Sequence, residues 1–148
     1  MHLTNLNERE LEDLYRSAPL GPTPRGRFRG RMLGFVAPGG PSPAMRLLDR
    51  ALFEWTPYGI DFDRSLWWFV APALGVGRFR ASVGPSRWRE AEVVRLEYDV
   101  SRLPRPLRRI LYDEVKPLDA DTALGLGGVN AERGVGDHFF FALERQRS

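Results

Sequence analysis

The chain has no cysteine, one lysine (Lys116) and two histidines (His2 and His138) in its 148 residues. Without cysteine there are no disulfides, no thiolate nucleophile and no Cys-ligated metal. With so few histidines a metal centre would have to be built almost entirely from Asp and Glu, so no metal is expected. No stretch reaches the ~18 apolar residues of a membrane span, and the polar, acidic start "MHLTNLNERELEDLY" lacks the basic and apolar regions of a secretory signal. The expectation is a cytoplasmic protein with no membrane span. Walker and dinucleotide fingerprints are missing too: "LGLGG" at 124–128 lacks the strand-turn-helix setting that phosphate binding needs.

What is present is apolar enough to fold. Hydrophobic residues make up 43% and aromatics 11%, sufficient to offset ordering entropy in one domain spanning 1–148. The 22 basic residues comprise 21 arginines and Lys116, scattered among 19 carboxylates for a net charge of +3. This mixing argues against a segregated nucleic-acid surface, so nucleic acid is not the expected partner.

Asn7 and Glu10 form a capping box, and Leu6 with Leu11 stands at staple spacing, which predicts a helix over Glu8–Ser17. Ser42 as N-cap and Pro43 at the first helical position predict a second, running to about Trp55. Strands are predicted over Arg25–Val36, Ser65–Val70, Gly75–Val83, Glu92–Val100, Arg108–Leu118, Thr122–Val129 and Asp137–Arg145, with a short one at Ile60–Phe62. Short Gly-, Pro- and Asp-rich connections between them point to an antiparallel meander, most economically closed into a mainly β barrel of about eight strands.

The stretch "PRGRFRGRML" at 24–33 resembles a basic arm at first sight. As a strand it puts Arg25, Arg27, Arg29 and Arg31 on the outer face, balanced by acids such as Glu144, and Phe28 and Met32 inside; Leu33 and Phe35 continue the arginine face. On Glu92–Val100, alternation turns Val94, Leu96 and Tyr98 inward. A tight turn centred on Pro104 then sets Asp99 opposite Arg109 and Arg95 opposite Asp113, turning Tyr112 and Glu114 inward. A slip of one residue would send Asp113 in instead. The same parity puts Leu126, His138, Phe140 and Ala142 inside, with Phe139 and Phe141 outside over Gly127 and Gly125.

The expected ligand-binding set is therefore Trp68 (or its neighbour Trp67), Tyr98, Tyr112, Glu114, Leu126, His138 and Phe140, an apolar lining with a few polar anchors. Glu114 and His138 are the candidate acid–base groups if the pocket is catalytic. The plain alternatives are a core histidine and a structural ion pair from Glu114 to Lys116 or an arginine.

A leading helix, a glycine-rich first strand and a meander ending in the aromatic "DHFFFALER" together resemble the lipocalin-like, or calycin, β-barrels of bacterial type. The first-strand signature of that family, glycine-x-tryptophan, is replaced here by "GRF", and a helical insertion follows the first strand. The resemblance implies a small hydrophobic or lipid-like ligand in the barrel interior and no cofactor. It also leaves a cofactor-free isomerase or cyclase using the same pocket, with haem held by His138 as a remoter option. Oligomeric state is open, a homodimer included.

Overall fold

The structure, a computed structural model, describes residues 2–36, 43–129 and 137–147. A 3-10 turn at Leu3–Asn5 leads into α1 (Glu8–Ser17), and β1 (Arg27–Phe35) and α2 (Pro43–Phe53) follow. Next come β2 (Tyr58–Asp61), β3 (Leu66–Phe69), β4 (Gly75–Arg78), β5 (Arg80–Pro85) and β6 (Glu92–Glu97). The chain finishes with α3 (Arg105–Ile110), β7 (Leu111–Pro117), β8 (Thr122–Val129) and β9 (Asp137–Arg145). All neighbouring strands pair antiparallel in the order β4-β3-β2-β1-β9-β8-β7-β6-β5, a nearly closed barrel. β4 and β5 are two halves of one bent strand, the first paired with β3 and the second with β6, so the chain itself joins the sheet's two edges. The bend falls at the buried Phe79, beside Gly77, whose φ of 71° is a conformation that glycine tolerates best.

The first helix starts as its capping box requires: Asn7 Oδ1 accepts from Glu10 N at 3.0 Å, and Glu10 Oε2 accepts from Asn7 N at 2.8 Å. Its Leu11 and Tyr15 are buried. The expected N-cap of the second helix, Ser42, lies outside the described residues.

Two apolar layers result. The lumen is filled from every side of the barrel, chiefly by Phe28, Tyr58, Trp67, Phe79, Phe139 and Phe141 with aliphatics between them. An outer layer on β6, β8 and β9 packs Val93, Leu124, Leu126, Phe140 and Ala142 beneath α1. Phe53 of α2 closes onto the lumen aromatics, its ring centroid 5.0 Å from Tyr58 and 4.7 Å from Phe139. Glycine makes this density possible where a ring lies flat on the backbone. A Cβ at Gly30 would meet the Tyr58 ring at 2.1 Å, and one at Gly125 would meet Phe141 at 2.1 Å.

"PRGRFRGRML" is largely a barrel strand. Phe28 is buried in the lumen, Arg27 and Arg29 are exposed, Arg27 Nε lies 3.8 Å from Asp61, and Arg29 stands opposite Glu144. One expectation is corrected: a bulge between Met32 and Gly34 inserts an extra residue, so Leu33 stays with the outer layer while Phe35 turns to the lumen.

A larger correction concerns β7 to β9. Residues 105–110, expected to form a tight turn and the start of a strand, form α3, and this shifts β7 by one residue. Leu96 faces Asp113 and Arg95 faces Glu114. Pairing of β7 with β8 and of β8 with β9 follows the expected register, with Gly125 opposite Phe141 and Gly127 opposite Phe139. The single slip therefore turns over the side chains of three strands, placing Phe139 and Phe141 inside.

Candidate functional site

Of the residues expected to line the interior, Tyr98 does so; the side chain of Tyr112 lies outside the described ones. Glu114, Leu126, His138 and Phe140 belong to the outer face for the register reason above, and Trp68 points outward over Gly59 while Trp67 occupies the lumen. His138 is buried beside Trp88, their ring centroids 6.3 Å apart. Glu114, fully buried, accepts from Tyr15 Oη at 2.5 Å, Ser86 Oγ at 2.5 Å and Arg87 N at 2.7 Å. Through these bonds it ties α1 and the β5–β6 turn to the barrel. Lys116, named with an arginine as the alternative ion-pair partner of Glu114, donates to the Glu92 carbonyl at 2.8 Å, and burial lowers its pKa.

The polar centre of the lumen is Asp113, which sequence periodicity left as the alternative to Glu114. Tyr98 Oη donates to Asp113 Oδ2 and accepts from Trp67 Nε1 at 2.6 Å, an indole–phenol–carboxyl chain set among aromatic rings. Burial pushes Asp113 up to about 8; the Tyr98 hydrogen bond opposes the rise, while the Asp49 and Glu114 carboxylates add to it. Asp49 belongs to α2 and is itself buried, so α2 presents a carboxylate as well as Phe53 to this end of the lumen. Burial raises Tyr98 and Tyr58 as well, and the Tyr58 hydroxyl has no hydrogen-bond partner among the described residues.

Asp113 and Tyr98 open onto a cleft of about 600 Å³ where β6 and β7 diverge and α3 bridges them. Leu96 and Leu111 supply apolar wall. The rim carries Arg80, Arg87, Arg95, Arg105, Arg108 and Arg109 against two acids, Glu97 and Asp99. Glu97 is already shared by Arg80 at 3.2 Å and Arg95 at 3.1 Å. Arg105 and Arg109 are exposed and carry no ion pair with the described residues, which leaves them open to an anion. The arginine-rich rim was invisible to periodicity, because three of its members lie on α3.

Among the described residues no group of three His, Asp or Glu side chains could hold a metal ion. No protein-family model matches the chain, and no curated protein matches it. A solved structure described as a protein from Thermomonospora curvata is similar at 20% identity, over 96% of this chain and 89% of that one, with a TM-score of 0.49.

Proposed function

We propose that the protein is a lipocalin-like binder of a small molecule that joins an apolar body to an anionic group. The observation that carries this is the convergence of six arginines, the Tyr98–Asp113 pair and apolar Leu96 and Leu111 on one cleft of about 600 Å³. That volume suits a small organic ligand. Arginine forks grip carboxylate or phosphate through paired hydrogen bonds, and Asp113, protonated below about pH 8, offers a donor where an ionised acid would repel an anion. The lumen proper is occupied by the protein's own rings, which shifts the reading from a wholly hydrophobic ligand inside the barrel to an amphipathic one at its side.

Calorimetry with a series of medium-chain and aromatic carboxylic acids, each beside its methyl ester, tests this. The acids bind and the esters bind at least about tenfold more weakly; Arg105→Ala/Arg109→Ala loses a similar factor for the acids alone. Equal binding of acid and ester, or acid affinity untouched by the double substitution, overturns the reading.

A cofactor-free enzyme on the same cleft is the second reading, favoured by one observation: a carboxyl raised to about 8 and hydrogen-bonded to a tyrosine at the wall of an open cleft. Asp113 then moves the proton, in place of Glu114 and His138. Asp113→Asn should abolish any turnover while retaining ligand; turnover that persists in it ends this reading.

A further inference from the structure

On α2 the helical positions of Asp49 and Phe53 face the barrel, and the opposite side is apolar and uncovered. At about 100° per residue, Leu47, Leu48 and Leu52 fall on one arc of roughly 140°, away from Asp49 and Phe53, and Trp55, two residues past the helix end, borders the same surface hollow as Leu47. Leu47 is 60% exposed and Trp55 62%, with Leu48 at 49% and Leu52 at 39%. A helix that buries a carboxylate and shows its leucines to water has two faces to satisfy, and the barrel meets only one.

The charges beside this face have a dominant sign. Arg46 and Arg50 run along the same flank of α2, and Arg29 and Arg31 of β1 share a surface hollow with Trp55. Their acidic neighbours are Glu54, which pairs with Arg50 at 3.4 Å, and Glu144, opposite Arg29. We infer that the outer face of α2 docks on an anionic membrane surface, with Leu47, Leu48, Leu52 and Trp55 entering the headgroup boundary and Arg46, Arg50, Arg29 and Arg31 meeting lipid phosphates. Leucines on one side of a helix, a tryptophan just past its end and arginines at its margin make up the composition of an interfacial segment. A second copy of the chain fits less well, because a two-fold contact would set this arginine surplus against itself. No helix among the described residues is long and apolar enough to cross a membrane, and α2, at 11 residues, can only lie along one.

The full-length chain is sedimented with vesicles of phosphatidylcholine containing about 30% phosphatidylserine, and with vesicles of phosphatidylcholine alone. Binding is expected to the first, weakened by about 0.5 M salt, and roughly tenfold or more weaker in Leu47→Glu/Leu52→Glu, whose substituted positions are exposed and whose fold is checked by circular dichroism. Trp55 emission should be quenched by brominated lipid, and Trp55→Phe should remove that quenching, since Trp67, Trp68 and Trp88 are buried. Failure to bind the anionic vesicles, or equal binding by the double variant, overturns the inference. So does a dimer in light scattering that the double variant dissolves while vesicles stay unbound, which would make a second copy the occupant.

Discussion

The Tyr98 hydroxyl stands between two lumen partners, accepting from the Trp67 indole at 2.6 Å and donating to Asp113. Tyr98→Phe deprives both at once, and an orphaned buried polar group costs about 1–3 kcal/mol. Urea unfolding should show a loss of about 2 kcal/mol. Carboxyl NMR should find Asp113 titrating higher than in the wild type, because the lost hydrogen bond was holding it down. Unchanged stability and an unmoved titration would mean that the chain of hydrogen bonds is not formed in solution.

Asp113 also sets a pH dependence. Its carboxyl has an ordinary value of 3.8 and is raised to about 8 in the fold, so between those limits the folded protein holds a proton that the unfolded chain has released. Stability from this group is complete below the lower limit and declines as pH rises toward 8, by up to about 1.4 kcal/mol per unit. Asp113→Asn removes the slope. Melting curves from pH 5 to 8 should therefore converge or cross, with the variant gaining on the wild type at the alkaline end; parallel curves would contradict the shift.

Glu114 gathers three donors from Tyr15, Ser86 and Arg87. Glu114→Gln turns an acceptor-only group into one that presents an N–H to a donor, and should cost about 2–3 kcal/mol. Because the same carboxylate anchors α1, hydrogen exchange should accelerate first in Glu8–Ser17 rather than in the strands.

At Gly125 the Phe141 ring occupies the space where a Cβ would stand, 2.1 Å away. Gly125→Ala should destabilise the protein by about 1–3 kcal/mol through overpacking. Phe141→Leu should recover part of that loss in the double variant, a coupling that a mutant cycle measures directly. Additive losses would show that the ring does not lie across the glycine.

These strands also show how far periodicity carries. The inward set Val94, Leu96 and Tyr98, the first helix and the facing of Gly125 with Phe141 were all legible, because alternation and turn centre agree there. The connection from Tyr98 to Leu111 was not. Pro106 in the first turn of α3 was the missed helix signal, and without it a tight turn at Pro104 shifts β7 by one residue. A second signal lay in β9: Glu144 shares a strand face with His138, Phe140 and Ala142, so matching it with the exterior Arg29 already requires those three to face outward. The candidate acid became Asp113 for that reason alone. The arginine rim belongs to tertiary structure, where α3 brings Arg105, Arg108 and Arg109 to β6, and no local pattern announces it.

The strand that bends at Phe79 gives the barrel an asymmetric weak point. Its other seams are ladders of hydrogen bonds that can fray and re-form, whereas the join between β3 and β6 runs through one continuous backbone. Cleaving that backbone near Phe79 would leave the inter-strand pairing intact but let the sheet's two margins, the outer edges of β4 and β5 that have no strand partner among the described residues, move apart. Each margin could then accept a strand from another molecule, so one peptide bond separates a self-contained barrel from a chain able to assemble end to end.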